Sequence, residues 1–120
     1  MKVEDFDSYC ASLPATEMVV QWGGAHVWKV GGKVFALASK WGKGNDTFKI
    51  GFKASDMAFR MLTEEPGIAP LPYLGRYKWV QVQHEDALGD RDVEGYIQLA
   101  HEMVAAKLTK AKRRELGLTS

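Results

Sequence analysis

One cysteine in 120 residues excludes an intramolecular disulfide, and Cys10 alone suits a reducing compartment. The longest apolar run is VFALA, far short of the ~20 residues a membrane span needs. The opening stretch MKVEDFDSY is acidic and has no apolar h-region, so no signal peptide is expected. A cytoplasmic chain with no membrane partner follows as the expectation. Repeats, low-complexity tracts and linkers are missing, and so are G-x-S-x-G, the P-loop and G-x-G-x-x-G. His26, His84 and His101 are scattered over a strand, a loop and a helix, none at ligand spacing to another histidine or to Cys10. No metal or cofactor is expected. With no nucleophile and base to pair, an enzyme is not expected either.

Apolar residues make up 46% and charged residues 26%, globular values that suit one domain over residues 1–120 with a single core. The net charge of +1 is unevenly spread. Positions 26–53 carry six lysines and one acid, and positions 107–120 five cations and one acid. Positions 84–95 carry five acids and one arginine. The asymmetry would suit a polyanionic partner, but with a whole-chain charge near zero, solvated faces on an ordinary domain are the simpler reading. The acidic run HEDALGDRDVE lacks the D-x-D-x-D-G alternation of a calcium loop, and Asp92 and Glu94 fit a helix N-terminus.

Residues 3–13 read as a helix with Phe6, Cys10 and Leu13 on one face, which makes Cys10 an inert core thiol. The period then changes to two. MVVQW, HVWKV, KVFALASK and TFKIGFK are strands, with glycine pairs at 23–24 and 31–32 marking turns. In TFKIGFK, Phe48, Ile50 and Phe52 point one way, and Lys49, Gly51 and Lys53 the other. One buried and one wet face is the expectation. Ser55 caps a helix over 56–63, and Pro66, Pro70 and Pro72 make the next stretch a structured loop. KWVQVQ is a last strand with Val80 and Val82 inward. Asp92 caps a long helix striped by Val93, Ile97, Ala100, Val104 and Leu108. Thr109 caps a short basic helix within a tail over 109–120 that ends at Gly117. The order predicts an α+β fold: an antiparallel meander with helices packed on one face.

Two surfaces carry the functional argument. In a meander, the 23–24 and 42–46 turns lie at the same end of the sheet. Both begin Trp-Gly, at Trp22 and Trp41, and Lys43 sits in the second. Glycine-rich tips with a cation suit a wing that follows a phosphate backbone; the competing reading is that the glycines serve the turns and the tryptophans cover the core. The second surface is PLPYLGRYKWVQV, an acid-free stretch over 70–82. Alternation puts Tyr77 and Trp79 outward beside Lys49 and Lys53, an aromatic and cationic platform of the kind that stacks single-stranded bases. Arg76 stacks on Tyr77 or holds a phosphate. The competing reading lays Trp79 flat under the proline loop, covered by lysine stems.

VWKVGGKVFALA, TFKIGFK, EEPGIAPLPYLGRYKWVQV and LAHEMVAAKLTKAKRREL together resemble the MmcQ/YjbR family of small bacterial proteins, over nearly the whole chain. The resemblance implies a fold like that of the bacterial frataxin homologue (CyaY-like) and DNA binding through a double-wing arrangement. The acidic iron-binding ridge of frataxins is not matched, because Glu4, Asp5 and Asp7 are too few and too close to the first turn. The reading is a non-enzymatic nucleic-acid-binding protein. Lys43, Lys49, Lys53 and Arg76 would hold phosphates, and Tyr77 and Trp79 would stack bases. The alternative is a protein-interaction or small-ligand module using the same aromatic face.

Overall fold

A computed structural model describes residues 1–42 and 47–118. The elements run α1 (Val3–Ser12), β1 (Thr16–Gln21), β2 (Ala25–Val30), β3 (Lys33–Ser39), β4 (Lys49–Lys53), α2 (Asp56–Leu62), β5 (Ile68–Pro70), β6 (Trp79–Val82), α3 (Asp90–Ala106) and α4 (Lys110–Glu115). The strands form one six-stranded sheet in the order β1-β2-β3-β4-β6-β5, each antiparallel to its neighbour. It is an α+β fold.

Period two and period 3.6 meet on one face of the sheet. Ile50, Phe52, Val80 and Val82 from the strands bury against Phe6 and Cys10 of α1 and Val93, Ile97, Ala100 and Val104 of α3. Phe48 packs at the margin, partly buried. Between β2 and β3 the register slips: Trp28 faces Ala36 while Lys29 faces Val34, which leaves Phe35 as the extra residue of a bulge. The bulge lets Phe35 join Ala36 and Ala38 in the same core. Helix ends follow local chemistry. Ser55 Oγ accepts from the Ala58 amide at 3.1 Å, and Thr109 Oγ1 from the Lys112 amide at 3.0 Å. The N-cap of α3 is Gly89, so Asp92 is not the cap; it lies in the first turn with Asp90, where it complements the helix dipole. After α4, Leu116 and Leu118 pack against the main core.

The other face is not wet. Leu71 and Trp79 bury with Ala25, Val27 and Leu37 in a second hydrophobic cluster, flanked by Val34, Trp41 and Leu74. The chain leaves β5, crosses the sheet over residues 71–78 and returns as β6. Gly51 makes this crossing possible: a Cβ there would lie 3.2 Å from both Leu71 methyls. The missing side chain is the hollow in which Leu71 sits. β5 itself, a three-residue edge strand, falls within the stretch expected to be loop.

Candidate nucleic-acid interface

The 71–78 crossing is held by its own backbone. Leu71 N–H donates to the Trp79 carbonyl at 3.0 Å, Tyr77 N–H to Leu74 at 3.0 Å and Lys78 N–H to Gly75 at 3.0 Å. Gly75 opens a 3-10 turn over Gly75–Tyr77 directly beneath Pro70, where a Cβ would come within 2.8 Å of the proline ring. Lys78 then adopts left-handed backbone, φ 67°. That residue breaks the alternation expected to run through KWVQVQ. Tyr77 lies on the turn and is 52% exposed, whereas Trp79 lies in the strand and is 6% exposed. The two aromatics therefore do not share a surface, and Trp79 offers no ring for stacking.

Lys49 is also inward, at 3% exposure. Its Nζ donates to the Trp41 carbonyl at 3.0 Å, and Gln81 Nε2 donates to the same oxygen at 3.1 Å. An ammonium that is buried as well as held by the protein's own carbonyl is not presented to a phosphate. Covering of this face by Leu71 and Trp79 is the physical reason that both expectations fail. Lys43 lies outside the described residues.

Lys53, Arg76 and Tyr77 do come together. Lys53 Nζ donates to the Tyr77 carbonyl at 3.1 Å. The Arg76 guanidinium lies 5.2 Å from the centre of the Tyr77 ring and donates to its hydroxyl at 3.3 Å. Lys78 adjoins them, its ammonium 5.1 Å above the Phe59 ring. The lysine pKa at position 53 is lowered, first by desolvation and then by the neighbouring charge of Lys107, against a smaller opposing pull from Asp56. Among the described residues, no carboxylate forms an ion pair with Lys53, Arg76 or Lys78. Cations with no carboxylate at ion-pair distance are stabilised by an external anion, and Asp56 offsets the charge of Lys53 only in part.

The hairpin ends form the second part of the surface. The Trp22 and Trp41 rings lie 6.1 Å apart, so the tryptophans that open the two Trp-Gly stretches meet; residues 43–46 of the second turn lie outside the described residues. Tyr73 meets Trp41 edge-on at 5.7 Å and is 85% exposed. Trp22 and Tyr73 both hold left-handed backbone, φ 54° and 72°, uncommon for bulky side chains. Tyr73 belongs to the same crossing as Arg76 and Tyr77, so aromatic rings extend from the hairpin ends to the cationic turn. Sequence reasoning gave Tyr73 no role, although its place between Pro72 and the Gly75 turn was visible.

One further pair was also missed. Asp7 accepts from His26 Nδ1 at 2.8 Å and from Trp28 Nε1 at 2.9 Å. A carboxylate fixing one imidazole nitrogen is the arrangement that orients a general base. No thiol can serve it: Cys10 is fully buried, and burial together with the Asp7 charge pushes its pKa far up. The pair fastens α1 to β2. No signal in the sequence linked positions 19 residues apart on a helix and a strand.

The architecture is that of a small α+β protein with a basic, aromatic loop packed across a sheet. The chain belongs to the YjbR family, whose model matches residues 11–103. It is similar to the crystal structure of Deinococcus radiodurans protein DR2400, a DUF419-domain protein, at 25% identity over 98% of this chain and 89% of that one, TM-score 0.81. A Pseudomonas syringae protein of known structure shares the fold at 19% identity over 87% of this chain and 99% of that one, TM-score 0.72. No curated protein matches the chain. Among the described residues, no helix is long and apolar enough to cross a membrane and no group of His, Cys, Asp and Glu is placed to hold a metal.

Proposed function

We propose that the protein binds single-stranded nucleic acid, without catalysis, along the strip from Trp22 and Tyr73 to Arg76, Tyr77 and Lys53. The observation that carries this reading is the cationic turn. Lys53 and Arg76 both contact one exposed tyrosine, Lys78 follows it in sequence with its ammonium over Phe59, and none of the three has an ion-paired carboxylate among the described residues. Phosphates suit the cations, and Tyr77 and Tyr73 offer π-faces to bases. The same proposal includes the frataxin-like (CyaY-like) arrangement and the double wing implied by the sequence resemblance, with Trp22 and Trp41 at the root of the wings.

The test is a titration of labelled single-stranded DNA at several salt concentrations. Affinity should fall steeply with salt, and replacing Arg76 or Lys53 by Gln should each reduce the slope of log affinity against log salt by about 0.7. Tyr77→Ala should weaken binding by ~1–3 kcal/mol with little change of slope, since stacking releases no counterions. Undetectable binding at low salt would reject the reading and leave the interaction-module alternative.

A further inference from the structure

The two edges of the sheet are built differently. β5 is three residues long and ends in Pro70, which has no amide to offer. This is how sheets protect an edge. β1 has six residues, TEMVVQ, with no proline, lysine or bulge. Among the described residues it pairs only with β2, and Met18, Val19 and Val20 stand 39%, 38% and 58% exposed. Along its outer side, alternate residues direct unpaired N–H and C=O groups away from the sheet. A long, apolar, unprotected edge is the structure that another strand completes.

We propose that β1 is the interface of a homodimer, in which two copies pair antiparallel about a two-fold axis and continue one sheet through both. The occupant follows from the strand's self-complementarity. An antiparallel pair keeps facing residues on one side of the sheet, so the axis passes through a residue. Placed at Val19, it sets Val19 against Val19, Met18 against Val20, and Glu17 against Gln21. The only charged side chain of the strand then meets an amide that donates to it, and no like charges oppose. Shifting the axis to Met18 sets Glu17 against Val19, and shifting it to Val20 carries Glu17 to the Gly23 turn. Val19 is the register that satisfies the carboxylate. Within each copy Glu17 stands in register with Lys29 of β2, an opposite charge on the inner side.

The experiment measures mass by light scattering across a dilution series, together with a cysteine placed at the axis. Wild type should be a dimer that dissociates on dilution. Val19→Lys sets two ammonium groups face to face and should raise the dissociation constant by about tenfold or more. The position is exposed, and an unchanged circular dichroism spectrum checks the fold. In Val19→Cys the two axial residues lie ~4.5–5.5 Å apart at Cα, within disulfide range, so mild oxidation should yield a covalent dimer. Val20→Cys, offset from its own copy by two residues, should not cross-link. The buried Cys10 leaves the background silent. A wild-type chain that stays monomeric at the highest attainable concentration overturns the proposal, and assigns the edge instead to an extended segment of another protein. A dimer that survives Val19→Lys and fails to cross-link through Val19→Cys overturns the β1 assignment. Neither outcome bears on binding of single-stranded DNA at the 71–78 crossing.

Discussion

Lys49 and Gln81, from neighbouring strands, donate to one acceptor: the Trp41 carbonyl receives the lysine Nζ at 3.0 Å and the glutamine Nε2 at 3.1 Å. Both donors are buried and both lie on the face covered by the 71–78 crossing. The shared oxygen ties β4 and β6 to the start of the segment that joins β3 to β4.

Because the carbonyl has two donors, losing one leaves it bonded. Lys49→Met and Gln81→Leu should each cost about 1–2 kcal/mol, and the double variant more than the sum, since only then does the Trp41 carbonyl lose both donors. Urea unfolding of the four proteins measures the coupling. Lys49→Met should also leave the salt slope of nucleic-acid binding unchanged. A slope reduced as much as in Lys53→Gln would mean that Lys49 reaches a phosphate.

Trp79 and Tyr77 separate stability from binding. Trp79 fills the second hydrophobic cluster against Leu71 and Leu37, so Trp79→Ala should lower unfolding free energy by ~3–5 kcal/mol. Tyr77 is exposed, so Tyr77→Ala should stay within about 0.5 kcal/mol of wild type while weakening binding to single-stranded DNA. The reverse ranking in thermal melts would contradict the burial of the two rings.

The difference between these two aromatics also marks where sequence reasoning stops. Alternation names two faces of a strand, and it placed Ile50, Phe52, Val80 and Val82 on the helix side, where they lie. It does not say what covers the other face. That depended on Leu71 meeting Gly51, a contact across 20 residues whose only local signal is a glycine inside a strand. Lys49 was placed in solvent for that reason, and Trp79 was left between solvent and the proline loop that in fact covers it. The left-handed Lys78 broke the period just before Trp79, and no residue preference foretells a lysine there. Period 3.6 was legible throughout α3 because its stripe faces one continuous core, and the meeting of Trp22 with Trp41 followed from strand count alone. The Lys53, Arg76 and Tyr77 cluster was legible as a group of residue types, whereas the lack, among the described residues, of a carboxylate ion-paired to its cations required the fold.

Cys10 should give stability a dependence on alkaline pH. Its folded pKa is raised well above the usual thiol value by burial, with Asp7 adding to the effect. Above about pH 8.5 the unfolded chain releases the thiol proton and the folded chain keeps it, so ν is smaller in the unfolded state and stability falls. The contribution is fully present below the unfolded pKa and declines by about 1.4 kcal/mol per pH unit above it. The difference between wild type and Cys10→Ala over pH 8.5 to 9.5 isolates the thiol, because the other groups cancel. Parallel curves would mean that the native thiol ionises normally; rapid labelling of native protein by a thiol reagent would mean the same.

Lys53 should make the pH dependence of nucleic-acid binding diagnostic. Desolvation and the charge of Lys107 lower its pKa, so free protein gives up this proton at a lower pH than an ordinary lysine does. A bound phosphate favours the protonated form and opposes that loss, so binding and protonation are linked. The lysine's contribution to affinity is fully present below its free-protein pKa and is lost as pH rises from there through the higher pKa of the bound state. That loss should begin below the pH at which exposed lysines titrate. Lys53→Arg keeps a charge throughout this range and should flatten the alkaline limb while preserving the salt slope. Affinities for single-stranded DNA, measured between pH 7 and about 10 for wild type, Lys53→Arg and Lys53→Gln, make the comparison. Three parallel profiles would remove Lys53 from the interface and leave Arg76 and Lys78 as its cations.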